Sequence, residues 1–246
     1  MNEYPMRINK YLALKNISTR RGADELVEKK QVFINSKLAV LGSKVNENDK
    51  VEVKGNTSIK KLIYYAYNKP IGIITSDISV NSMFPIGRLD KNSHGLIILT
   101  NDGRITDKLL NPKYVHEKEY IVKTSNKLRS SFKQKMENGV NIDPVRSRSP
   151  RGDRSTPVFG RAASNGVEGY VTKKCKVQII NDYTFKITLS EGKKHQIRRM
   201  CSALFQEVAD LMRIRIINIE LRNLKPGAFR EIKDKELNTF LNIILT

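Results

Sequence analysis

Tryptophan is absent from this chain of 246 residues, cysteine occurs 2 times and histidine 3 times. Cys175 and Cys201 stand far apart, outside the spacing of zinc ligands, and His94, His116 and His195 are scattered. No metal site is expected, and the cysteines read as reduced and structural, which suits a cytoplasmic protein. No apolar run approaches the roughly 20 residues needed to span a bilayer, and a polar N-terminus argues against a signal peptide. A Walker loop, a dinucleotide-type glycine loop and a serine or cysteine nucleophile arrangement are all missing. Acidic residues are scarce: Lys+Arg number 45 against Asp+Glu 25, a formal net charge of +20. A field of that sign favours polyanions, with nucleic acid as the usual partner and an anionic membrane surface as the competitor. A long basic amphipathic helix, which the membrane reading needs, is not visible.

The remaining chemistry centres on Pro85-Ile86-Gly87-Arg88-Leu89-Asp90-Lys91-Asn92-Ser93-His94-Gly95, followed by Leu96-Ile97-Ile98-Leu99-Thr100 and Asn101-Asp102-Gly103. The apolar run reads as a strand and Asn101-Asp102-Gly103 as the turn that ends it. Asp90 then sits in a loop at the lip of a sheet, either as a reacting group or as a turn residue capping a nearby amide.

Residues 1–55 form a first module. Helices are expected over Met6 to Ala13 and over Arg20 to Lys30, the second N-capped by Ser18-Thr19, with short strands at Gln31 to Asn35, Lys44-Val45 and Lys50 to Val53. Arg20, Arg21, Lys29 and Lys30 bracket the second helix, as a solvated face or as a surface for RNA phosphates. Residues 56–61 are polar and make the linker.

The second module, 62–246, should hold a strand at Leu62 to Tyr67, broken at Asn68-Lys69-Pro70 and resumed at Ile71 to Thr75. Lys69 faces either a phosphate or solvent. A strand over Glu117 to Lys123 places Tyr120 and Val122 on one face. Tyr120 is a core residue or, if that face lines a cleft, a platform for a base. A helix is expected at Asn126 to Asn138. The stretch at about 143–168 is rich in Gly, Pro, Ser and Arg without apolar period, and Asn138-Gly139-Val140 recurs as Asn165-Gly166-Val167. This reads as an in-frame insertion into a surface loop. Strands at 176–180 and 185–189 precede a basic helix start, Lys193-Lys194-His195-Gln196-Ile197-Arg198-Arg199, which suits a phosphate or carboxylate. Arg198 is the expected partner of Asp90, and His195 binds the nucleotide or caps the helix. A strand at Ala209 to Ile219 carries Arg213 and Arg215 on one side, and Lys233 to Ile244 closes the chain as a helix. The class is α+β: a large mixed, mostly antiparallel sheet flanked by helices.

Two resemblances follow from these motifs. Arg7-Ile8-Asn9-Lys10-Tyr11-Leu12-Ala13, Ser18-Thr19-Arg20-Arg21, Val32-Phe33-Ile34-Asn35 and Val51-Glu52-Val53 resemble the S4 RNA-binding domain. Gly87-Arg88-Leu89-Asp90 with Ser93, Gly95-Leu96 and Leu99 to Gly103, together with Lys118-Glu119-Tyr120, Gly192 to Met200 and Arg213 to Arg230, resemble the RsuA-type ribosomal RNA pseudouridine synthases, closest to the RluF/RluB branch. The resemblance implies an isomerase that needs no cofactor and converts a uridine in ribosomal RNA, with 23S as the expected target, to pseudouridine. It implies that Asp90 is the catalytic residue, as nucleophile or in an elimination, that Tyr120 stacks on the uracil and that Arg198 pairs with Asp90. RNA would be held by Arg7, Lys10, Arg20, Arg21, Lys69, Arg88, Lys91, Lys193, Lys194, His195, Arg199, Arg213 and Arg215. A cytoplasmic monomer is expected. The chain departs from the family at Phe205 and at Ala209-Asp210, where Asp210 adds negative charge near the RNA surface. The alternatives are a non-catalytic RNA-binding or ribosome-assembly factor, and a synthase acting on 16S rRNA or tRNA.

Overall fold

The computed structural model describes residues 4–15, 17–55, 61–78, 80, 83–142 and 169–245. The linker residues 56–60 and the insertion at about 143–168 lie outside them.

The N-terminal elements are β1 (Met6–Arg7), α1 (Ile8–Leu14), α2 (Arg20–Glu28), β2 (Val32–Ile34), β3 (Lys37–Leu38), β4 (Lys44–Val45) and β5 (Val51–Val53). The Thr19 hydroxyl accepts a 3.0 Å hydrogen bond from Gly22 N and so caps α2. Ile8 and Leu12 of α1 pack on Ala23 and Val27 of α2, and with Val32 and Val45 they form a separate apolar cluster. Helix spacing of those residues is what brings them to one face.

The larger sheet is built from β6 (Tyr64–Lys69), β7 (Phe84–Ile86) and β8 (His94–Thr100), then, after α3 (Arg104–Leu110), from β9 (Lys118–Thr124). Next come α4 (Phe132–Glu137), the short pair β10 (Asn141–Ile142) and β11 (Tyr170–Val171), β12 (Lys176–Asn181), β13 (Thr184–Leu189) and α5 (Gln196–Ala203). The chain ends with β14 (Val208–Ile216), β15 (Ile219–Glu220), β16 (Phe229–Glu231) and α6 (Asp234–Leu245). Among the described residues these strands make a 9-stranded sheet in the order β12-β13-β9-β14-β8-β6-β16, with β15 on β14 and β7 on β8. Every pairing is antiparallel except β14 with β8, where Met212 and Arg213 register with His94 and Gly95. The fold is therefore α+β with a mixed sheet. No helix of the described residues is long and apolar enough to cross a membrane.

The continuous apolar run of β8 reflects its central place, since Gly95 through Thr100 are all buried. Gly95 has φ +103°, and a Cβ there would collide with the Arg213 backbone carbonyl. Glycine is what lets the two parallel strands meet at this point. One core joins Tyr64, Ala66, Leu96 and Ile98 to Phe240 and Ile244 of α6. A second joins Val122, Phe185 and Ile187 to Phe132 of α4 and to Ile197, Met200 and Cys201 of α5.

Two expected elements are corrected. Residues Ile71 to Thr75 do not resume a strand: Ile71, Ile73 and Ile74 are exposed, and Thr75–Asp77 is a 3-10 turn. β6 pairs along the whole of one side of β8, while β14 and β7 share the other, so no free edge remains there. The helix expected from Asn126 begins only at Phe132. Its first residues are tied instead to the β12–β13 turn, through Leu128 N donating to Asp182 O, and to the end of β9, through Thr124 Oγ1 donating to Asn126 O.

Candidate active site

Asp90 is carried on a loop between β7 and β8 that is stitched to its surroundings at nearly every residue. Thr75 Oγ1 donates to Leu89 O at 2.8 Å and accepts from Leu89 N at 3.1 Å. Gly72 N donates to Lys91 O, and Ser93 N closes a turn on Asp90 O. Beneath the loop the buried Lys69 Nζ donates to Ser93 O at 2.7 Å and to Pro70 O at 3.0 Å. From the far side Arg198 Nη2 donates to Asn92 O at 2.8 Å. A loop with so many fixed backbone groups holds its carboxylate with little freedom.

The carboxylate opens on a cavity of about 760 Å³ lined by Asp90, Tyr120, Lys118, Arg213, His195 and the exposed cations Arg88, Lys91, Lys193 and Lys194. That size suits a nucleoside. Tyr120, on β9, lines the same cavity and packs against two apolar clusters. His195 brings its Nδ1 to 3.1 Å from Asp90 Oδ2. It stands at the N-cap of α5 with φ 52°, in the left-handed region, and its side chain does not cap the helix.

Several expected placements change. Arg198 makes no ion pair with Asp90: its guanidinium bonds to Asn92 O, to Val208 O at 3.0 Å and to Ser93 Oγ at 3.5 Å. His195 takes the place beside the carboxylate, because the left-handed residue turns the ring out of the helix path. Lys69 is fully buried and does not reach a phosphate. Burial lowers its pKa, while the Asp90 charge pulls the other way. Arg213 is only 3% exposed, with Nε donating to Leu96 O at 2.7 Å. Arg215 is committed to carboxylates, Nη2 lying 3.1 Å from Glu117 and 3.4 Å from Glu119. A register shift between Arg213 and Arg215 sends the two arginines to different surroundings. Asp210 lies beside His94, whose Nε2 is 3.0 Å from its Oδ1. Arg7, Arg20 and Arg21 are exposed on the N-terminal unit, with Lys10 half-buried. Arg199 is half-buried, and its Nη1 donates to Lys194 O at 3.4 Å.

Lys118 and Thr75 were missed as site residues. Thr75 carried no sequence signal, since its partner lies across a loop. Lys118 did carry one: it stands two residues before Tyr120 and so shares that strand's face. Burial, with Arg213 nearby, pushes its pKa down to about 8.

Residues 63–203 match the profile of the family described as RNA pseudouridylate synthase, and residues 6–51 match the S4 domain. The chain is 36% identical to the dual-specificity RNA pseudouridine synthase RluF of Escherichia coli (strain K12), over 97% of this chain and 79% of that protein. It is 30% identical to the ribosomal large subunit pseudouridine synthase B of Bacillus subtilis (strain 168), over 94% of this chain and 93% of that one. A crystal structure of a pseudouridylate synthase superposes with a TM-score of 0.62 at 26% identity, covering 95% of this chain and 98% of the other.

Proposed function

The chain belongs to the RNA pseudouridylate synthase family, and from that premise we propose that it isomerises a uridine of ribosomal RNA, in the large subunit, with Asp90 as the catalytic carboxylate. The observation that carries the reading is the pinned Asp90 and Tyr120 lining one cavity of nucleoside size together with several cations. The large-subunit target draws on the relative from Bacillus subtilis, whose name states it.

The reaction follows from the bonds involved. The target base must leave its stack, because C1′ and C5 are shielded within a helix. The C1′–N1 bond then breaks, the uracil turns, and C5 joins C1′. The ring loses its C5 proton and gains one at N1, so the product is an isomer. Asp90 assists as nucleophile toward the nucleotide or as the base of an elimination. Tyr120 supplies a stacking face for the ring. Arg88, Lys91, Lys193 and Lys194 hold neighbouring phosphates, and Arg198 and Lys69 act through the loop as positioning residues. Residues 1–55 serve as an S4-type docking unit and residues 62–246 as the catalytic domain.

The test is Asp90→Asn. Purified variant and wild type are incubated with ribosomal RNA lacking the modification, and pseudouridines are mapped. The variant should form none while its RNA affinity stays within about threefold. Equal product from both proteins rejects Asp90. Mapping total RNA from cells with and without the gene identifies the target base, and a change confined to small-subunit RNA or tRNA rejects the large-subunit assignment.

A further inference from the structure

Lys118 and Arg213 are two cations set close together in the wall of the cavity, and among the described residues neither has a carboxylate partner. Arg213 is 97% buried, and its Nη2 has no hydrogen-bond partner at all. Lys118 Nζ finds only a long contact of 3.4 Å to His116 O. Burying like charges beside each other with a donor unused is costly, and such a pair calls for a physical reason.

Their position says which part of a ligand they meet. Arg213 is the cross-strand neighbour of Tyr120, in register on β14, and Lys118 lies two residues from Tyr120 on the same face of β9. They therefore flank the edge of the ring that Tyr120 offers as a stacking face. Asp90, on its loop beyond, is left for the sugar side of the nucleotide. Resting on the reading that this cavity receives the target uridine, we propose that Lys118 and Arg213 form a cationic subsite for the carbonyl oxygens of the uracil ring, and that they hold the negative charge the ring acquires when its bond to the sugar breaks.

The electron pair of the broken C1′–N1 bond stays on the ring, spread over N1 and the two carbonyl oxygens. The ring returns a pair to C1′ through C5, and the proton shed from C5 is balanced by the one N1 takes up. No oxidant or further reactant enters. Preorganised charge aimed at atoms that become negative is among the larger contributions an active site makes. The same pair also selects the base. Cytosine presents an amino group where uracil presents its C4 oxygen, so two cations there meet a donor instead of an acceptor.

Lys118→Met tests this in the full-length protein with a ribosomal RNA fragment that the wild type modifies. The single-turnover rate at saturating RNA should fall at least about thirtyfold, with RNA affinity within threefold. The melting temperature should rise by about 2 °C or more, because an unpaired buried charge has been removed. Lys118→Arg should recover most of the rate, and Arg213→Lys should retain binding while slowing the reaction. An unchanged rate overturns the proposal. So does a loss confined to affinity with a shallower salt dependence, which would mark a phosphate contact. A lower melting temperature that Lys118→Arg does not repair also overturns it, by assigning Lys118 to the fold. Asp90→Asn is scored separately, so failure here leaves the function of the cavity standing.

Discussion

The imidazole of His195 lies 3.1 Å from the carboxylate of Asp90, across 105 residues of chain, while Arg198, three positions further on, turns away to the Asn92 carbonyl. Two side chains from one helix start thus divide the work: one faces the carboxylate and the other anchors the loop that bears it.

His195→Gly separates these roles, because glycine accepts the left-handed backbone at φ 52° without strain. The single-turnover rate should drop about tenfold through looser aim of the carboxylate. Circular dichroism and melting temperature should be unchanged within error, and His195→Asn should fall between the two.

Arg198→Met removes the guanidinium that ties Asn92, Ser93 and Val208 together. The loss of charge-assisted bonds to partly buried carbonyls should cost about 2 kcal/mol in urea unfolding and slow the reaction at least tenfold. Hydrogen exchange should quicken at Asn92 and Ser93 more than in β8.

Much of this arrangement was legible in the residues themselves. The apolar run of β8, the turn after it, the placing of Tyr120 and Val122 on one face of β9 and the basic start of α5 follow from alternation and turn chemistry. What escaped was the choice of partners. Lys69 beside Pro70 looks like a surface cation, yet it is buried because β6 runs under the Asp90 loop and two carbonyls receive its ammonium. Ile71 to Thr75 has strand composition, yet both sides of β8 are already occupied. The Arg198 assignment failed because one left-handed residue, His195, reorients the helix start, and no local pattern announces it.

Asp102, read as a simple turn residue, is fully buried and accepts from Tyr64 Oη at 2.6 Å and from Arg104 Nε at 2.8 Å and Nη2 at 2.9 Å. Burial raises its pKa, but the Arg104 and Tyr64 bonds outweigh that and hold it below the ordinary 3.8. A depressed carboxylate adds stability above its unfolded pKa and loses it as pH falls through the folded value. Asp102→Asn should therefore cost roughly 3 kcal/mol at pH 7, with the gap to wild type closing below about pH 4. Urea titrations at several pH values measure it.

The stretch expected from the sequence to be an insertion is flanked by a ladder: Asn141 pairs with Val171 and Ile142 with Tyr170. Ile142 is 1% exposed, so an excision must begin after it. Replacing residues 143–169 by Asn-Gly, a two-residue hairpin turn, should leave activity within about twofold and the melting temperature within about 2 °C. A fall in soluble yield would show that the segment contributes to the fold.

The parallel seam at which Gly95 meets Arg213 has a bearing on the life of the molecule before it is finished. The N-terminal unit closes on partners drawn from its own first 53 residues, so it can take shape early on the ribosome. The Asp90 loop instead waits for strand and helix encoded more than a hundred codons later, roughly ten seconds at about ten residues per second. On the proposed function, a nascent chain would dock on RNA before Asp90 is held in place.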